Sequence, residues 1–226
     1  MSRDAERFSE IGRGPLSRWS AAVYWALVIE VLVVLTSLPG FVLLLLLDRS
    51  ASNVPLVALA AVPFGPSLAA AVFAWRLYLR TPPADRDLAP ARHYWRGYRQ
   101  NWKDVLLWWV PALVLLAVLG VNVSAGGAFG LVSLVLVAAV LVWAGNALVL
   151  SSLFAFRTRD VARLAAYYLA AKPVAALGVL SLLVVAAAVA AFATDWLLVL
   201  LASVLVRLLV RNAEPVVVDA TERFTA

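Results

Sequence analysis

Long apolar runs alternate along the chain with short charged segments. The runs cover about residues 20–47, 54–79, 105–122, 128–154, 173–193 and 196–211. Most approach or exceed the ~20 residues that a helix needs to cross the apolar core of a bilayer. No stretch reads as an evident strand. The pattern predicts an all-α fold: a polytopic helical membrane protein with six transmembrane helices, forming one domain over residues 1–226. Helix breaks are expected at Pro39, where "LTSLPG" interrupts the over-long first run. They are expected again at Gly65 and Pro66 in "PFGP" and at Pro111 in the third run, because proline lacks the N–H and crowds the preceding turn. The last two runs meet at "ATDW". Thr194 or Asp195 is placed there to cap the sixth helix, and so tight a connection predicts an antiparallel hairpin.

One polar segment has a pattern of its own. "HYWRGYRQNWKD" occupies residues 93–104, directly before the third run. On a helix at ~100° per residue, Arg92, Arg96, Arg99 and Lys103 fall in one sector. Tyr94, Trp95, Tyr98, Trp102 and Leu106 fill the adjacent one. Pro90 suits the first turn, and Gly97 falls on the far face. Aromatic rings favour the headgroup level of a membrane, and long basic side chains reach for its phosphates. Residues 90–103 are therefore expected to form an amphipathic elbow helix at the cytoplasmic surface, in contact with membrane lipids and feeding the third span. A docking surface for a partner is the alternative. Nucleic acid is not an expected partner, since such binding calls for a basic domain clear of the membrane. A fainter copy of the pattern recurs in "FAFRTRDVARLAAYYLAAKPVAAL", residues 154–177, after the fourth run.

Composition sharpens the class. The 226 residues are 64% hydrophobic and only 14% charged, with a mean hydropathy of +0.93, far from ordinary soluble domains. There is no cysteine, which removes disulfides, thiolate metal sites and cysteine nucleophiles. The apolar run that follows the polar N-terminus is too long for the core of a cleaved signal peptide. Charge supplies orientation. Of the 19 Lys and Arg, all but Arg49 fall before the first run, in the loop between the second and third runs and its flanks, between the fourth and fifth, or from the end of the sixth run onward. The positive-inside rule then expects a multi-pass membrane protein with both termini and the two larger loops in the cytoplasm. The net charge of +6 is in this reading mostly a topology signal.

"LTSLPG", "PFGPSLAAAVFAWRLYLR" and "YWRGYRQNWKDVLLW" resemble the N-terminal half of the YesL-like family of bacterial integral membrane proteins, a family without an established activity. The resemblance rests on Ser37-Leu38-Pro39, Gly65-Pro66 and the segment Tyr94 through Lys103, and covers residues 30–110. In the family the two prolines lie a few residues apart. Here a stretch from Gly40 to Phe64 intervenes and lengthens the outer hairpin. The resemblance implies a link to carbohydrate utilisation, with a sugar ABC transporter as the expected partner. No catalytic or binding residue comes with it.

Candidate chemistry is sparse. The single histidine, His93, is expected to be an interfacial polar residue, and no second His or Cys exists to build a metal site with it. No cofactor is expected. Glu30 stands in "ALVIEVLVVL", about 15 Å into the first helix. A carboxylate there costs at least ~2.5 kcal/mol unless it faces the bundle and finds a donor. Asn146, or Arg76 from the end of the second span, is the expected partner. An enzyme is not expected, because no convergent set of nucleophile, base and ligands is visible. Two readings remain: a non-enzymatic accessory or regulator associated with carbohydrate uptake, and a small proton-coupled transporter or channel built around Glu30.

Overall fold

A computed structural model describes residues 15–48, 50–192 and 195–224. Among them the regular elements are all α-helices or 3-10 turns and no strand occurs. The helices are α1 (Pro15–Thr36), α2 (Leu38–Leu45), α3 (Val54–Ala60), α4 (Phe64–Arg80), α5 (Pro90–Ala125), α6 (Gly127–Leu153), α7 (Thr158–Ala171), α8 (Pro173–Phe192), α9 (Asp195–Leu200), α10 (Ala202–Asn212) and α11 (Glu214–Phe224). Four are long and apolar enough to cross a membrane: α1 over Trp19–Thr36, α5, α6 and α8. A fifth crossing results if Ala51–Ala60 and α4, bent by 47° at their junction, act as one span. The expected sixth span, residues 196–211, is instead divided at Leu201 into helices of 6 and 11 residues. The expected cap at Thr194 or Asp195 falls outside the described residues and side chains.

The breaks follow proline chemistry, shifted from where the sequence suggests. The first run ends at Ser37, whose carbonyl accepts from both Gly40 and Phe41, and α2 restarts with Pro39 in its first turn. Gly65 and Pro66 do not break a helix. They lie in the first turn of α4, where a missing N–H costs nothing, and the bend falls just before them. Trp109 repairs part of it, donating its indole N–H to the Ala61 carbonyl at 3.0 Å. Pro111 does not break α5 either, which runs through it unbroken. The apolar residues on both sides sustain the helix at the cost of one backbone bond.

Residues 90–103 are helical and continuous with the apolar part of α5. That helix has 36 residues, about 54 Å at 1.5 Å per residue. A hydrocarbon core is ~30 Å thick, so its basic turns extend well past the apolar stretch. The inward face is also different from the expected one. Pro90, Tyr94, Gly97, Asn101, Val105, Trp108 and Ala112 form one buried stripe along α5, while Trp95 and Trp102 stay exposed. Gly97 is thus on the buried face, not the far one. A Cβ there would lie 2.8 Å from Cβ of Phe73 on α4, so glycine is what lets α4 and α5 touch.

α5 and α6 form a hairpin through Gly126 and Gly127, both with positive φ (74° and 69°), a region that L side chains rarely adopt. The core joins Trp25, Ile29 and Val33 of α1 with Ala69–Val72 and Trp75 of α4, Leu150 of α6, Tyr168 of α7 and Val210 of α10. Valines and leucines on the outer faces of α1, α5, α6 and α8 are exposed, among them Leu27, Val114, Leu131 and Leu177. So large an apolar surface suits a lipid environment. Side-chain ties gather the basic segments. Trp25 bonds the Asp87 carbonyl, Asn101 the Ser152 carbonyl, and Arg76 pairs with Glu214. Lys172 and Arg223 both pair with Asp219, at 3.0 and 3.3 Å. The two longer basic segments and α11 are thereby held together.

Candidate functional site

A connected set of polar and aromatic side chains runs through the bundle between Glu30 and Asp87. Glu30 lies on the inner face of α1 with Trp25, Ile29 and Val33 and is 7% exposed. It faces protein, as expected, but neither expected partner meets it. One carboxylate oxygen accepts the backbone N–H of Ser203 at 2.7 Å; the other has no hydrogen-bond partner. Ser203 is the second residue of α10, whose N-cap position is Leu201 and carries no capping side chain. Glu30 therefore caps α10 from another helix. The arrangement satisfies an orphan donor and sets negative charge against the positive end of the helix dipole.

The set continues from Ser203. Its hydroxyl accepts from the Trp75 indole N–H at 3.1 Å. The Arg207 guanidinium, one turn on, lies 5.1 Å from the Trp75 ring centre and 6.0 Å from that of Tyr78. Arg86 covers Tyr78 at 4.2 Å and donates its Nε–H to the Tyr78 and Thr81 carbonyls. Trp25 packs on Tyr78 at 4.9 Å and stacks on His93 at 5.8 Å. His93 bonds the Asp87 carboxylate at 2.9 Å, which also accepts from Arg92 at 2.7 Å. The His93 bond, reinforced by the other donors, holds the Asp87 carboxyl below the usual carboxylate range. Its contribution to stability is thus complete above the ordinary carboxylate value and fades only as pH falls through the lowered one. A cavity of about 210 Å³ lies between Trp25, Tyr78, Arg86, Asp87 and His93. His93 is accordingly a packed and bonded residue, not a free interfacial one. Among the described residues no group of three His, Asp or Glu side chains is arranged to hold a metal ion.

The other sequence candidates separate. Asn146 is 1% exposed on α6 and its side-chain NH₂ has no partner. Arg76 is 6% exposed and pairs with Glu214 at the start of α11. Tyr94 is buried and shares a hydroxyl cluster with Thr36 (2.7 Å) and, through it, Ser67 (2.8 Å). Tyr98 is half-buried, and Arg92, Trp95, Arg96, Arg99, Trp102 and Lys103 face outward, with the Lys103 ammonium 5.3 Å from the Trp102 ring centre. The strip thus divides into an inner face that packs and an outer face that is exposed, with Arg92 tied to Asp87. Sequence reasoning missed Ser203, Trp75 and Arg207. Arg207 was the available signal, a cation inside an apolar run.

The Arg76–Glu214 pair carries an asymmetric prediction. Arg76 is buried, whereas the Glu214 side chain is half exposed. Glu214→Gln leaves a buried cation without its counter-charge and is expected to cost about 1–3 kcal/mol, below the value for a fully buried pair because water reaches Glu214. Arg76→Met leaves only a half-solvated carboxylate and is expected to cost less. Thermal unfolding of the two variants in detergent checks the order.

These features define an all-helical protein with several helices apolar enough for a membrane and a polar chain inside the bundle. Residues 22–123, from α1 to the end of the apolar part of α5, match the model of a family of proteins of unknown function, DUF624. No curated protein and no solved structure matches the chain.

Proposed function

We propose that this chain is a non-enzymatic integral membrane accessory or regulator of the bacterial cytoplasmic membrane, both termini cytoplasmic, associated with a carbohydrate-uptake system. The observation that carries the reading is the division of the α5 strip. Tyr94, Gly97 and Asn101 fix the helix in the bundle, so Trp95, Arg96, Arg99, Trp102 and Lys103 are left to meet something else. Exposed aromatics beside arginines are the composition that dominates binding hot spots. The sugar-transporter partner comes from the YesL-like resemblance alone. Glu30 fits the same reading, since its carboxylate is engaged in holding α10.

A photo-crosslinking residue at Trp102 tests the docking surface in native membranes. The expected result is a crosslink to a transporter subunit, lost in a variant carrying Arg92→Gln, Arg96→Gln and Arg99→Gln that is otherwise stable and correctly oriented. If the strip only anchors the helix to lipid, the triple variant is itself destabilised and no protein crosslink forms; each cation near an anionic leaflet is worth about 1 kcal/mol. Topology has its own check in this cysteine-free chain. Single cysteines at Ser2 and Thr221 should resist an impermeant label in intact cells, and one at Ser124 should react. The reverse pattern sinks the orientation.

The unpartnered oxygen of Glu30 and the unpartnered Nε of Arg207 favour a second reading, a small proton-coupled transporter. Glu30→Gln separates the two. The accessory reading expects function to survive wherever the protein folds; the transporter reading expects function to be lost with expression intact.

A further inference from the structure

A second concavity lies away from the Glu30 chain. Between α5 and α6, with α7 across its end, runs an open groove of about 540 Å³, within the ~300–1,000 Å³ of sites that enclose small ligands. On α5 it extends from Leu107 to Leu115, about 12 Å along the helix axis. Its walls are apolar except at one end, where Thr158 and Arg159 form its mouth. These are the first two residues of α7, a helix of 14 residues whose N-cap position, Arg157, provides no side-chain cap. Its first N–H groups are therefore free of a capping side chain, and a helix start of this kind favours an anion. Arg157, Arg159 and Arg163 are all exposed around it. Asp160, also exposed, is not part of the groove wall.

The wall of the groove also contains a buried donor without a partner. Trp108 is 3% exposed and forms part of the wall, yet its indole N–H has no partner. Its neighbour Trp143 does, donating to the Ala162 carbonyl at 3.0 Å and tying α7 over the groove. A buried indole N–H nearly always finds an acceptor. An apolar trough and a basic helix start at its mouth match two parts of a phospholipid: acyl chain and phosphate.

We infer that the groove between α5, α6 and α7 is a binding site for one anionic phospholipid, its acyl chain along Leu107 and Leu115, its phosphate at the start of α7 beside Arg159. A zwitterionic lipid would fill the trough equally well but would set its cationic headgroup among the three arginines. This inference rests on the chain being membrane-embedded, which alkaline extraction of native membranes checks separately: a chain released into the soluble fraction overturns the embedding itself.

The site is tested on the purified full-length chain in mild detergent, titrated with phosphatidylglycerol or phosphatidylcholine and read by native mass spectrometry. The wild type should retain one phosphatidylglycerol with a preference of about tenfold over phosphatidylcholine, the gain of a charge-assisted contact. Arg159→Gln should bring the two lipids close to parity. Ala139, an exposed groove residue of α6, takes the steric variant: Ala139→Phe should expel both lipids while the melting profile shows a folded protein. Equal retention of the two lipids by the wild type overturns the proposal. So does undiminished phosphatidylglycerol binding in Ala139→Phe, unchanged selectivity in Arg159→Gln, or a second copy of the chain occupying the groove.

Discussion

Glu30→Leu is expected to be among the most damaging single substitutions in the molecule, and Glu30→Gln among the milder ones. Leucine suits the membrane core better than a carboxylate does, so hydropathy alone predicts the opposite order. The reason is the Ser203 N–H, which has Glu30 as its acceptor at 2.7 Å in a site where water is scarce. Removing the acceptor leaves that donor buried and unmet, about 1–3 kcal/mol, with loss of the cap on α10 inside the same figure. Glutamine keeps an oxygen in place and loses only the charge against the helix dipole, about 0.3–1 kcal/mol. Thermal melting in detergent orders the two. Equal melting of Glu30→Leu and wild type would mean that the cap contributes nothing.

Gly97→Leu is expected to separate α4 from α5. A Cβ at this position meets Phe73 Cβ at 2.8 Å, and both belong to helix backbones that cannot yield independently. Overpacking of this kind costs about 1–3 kcal/mol, and leucine brings three carbons beyond the Cβ. Gly97→Ala is the informative control. It already carries the Cβ clash, which the gain of up to ~1 kcal/mol of helix propensity offsets only in part, so it should destabilise, but less than leucine does. Phe73→Ala combined with Gly97→Leu should recover part of the loss, since it removes the Cγ and Cδ1 carbons that lie 2.9 Å from the added Cβ and leaves only the Phe73 Cβ in conflict. A Gly97→Leu protein as stable as the wild type, or a double variant that behaves additively, would place the close contact elsewhere.

The residues explain which parts of this were legible beforehand. An all-helical chain with several apolar helices follows from the length of the runs, and the burial of Glu30 follows from the cost of a carboxylate in lipid. Its partner had no such signature. A backbone N–H carries no side-chain label, and Ser203 is 173 positions away. Gly97, which the helical wheel puts on the far face, is buried because it packs in one stripe with Tyr94 and Asn101. A glycine at the point of closest approach outweighs the rings beside it. Pro39, Gly65 and Pro66 lie in the first turns of helices, where a missing N–H is tolerated, so each opens a helix where a break was expected. Pro111 marked nothing visible. The division at Leu201 was invisible for the opposite reason: no proline or glycine stands there, and hydropathy is blind to a turn among leucines.

The cap on α10 has a consequence in time as well as in space. Ser203 follows Glu30 by 173 positions, so at ~5–20 residues per second the ribosome delivers the donor roughly 9–35 s after the acceptor. Throughout that interval α1 is already an apolar segment awaiting insertion, and its carboxylate has no N–H to meet. The nascent chain must hold that acid at a hydrated margin, bring a proton along with it, or rely on an insertase that shelters polar groups. Chains stalled before α10 should therefore keep α1 loosely seated and open to proteases, and should become resistant only when the last helices arrive.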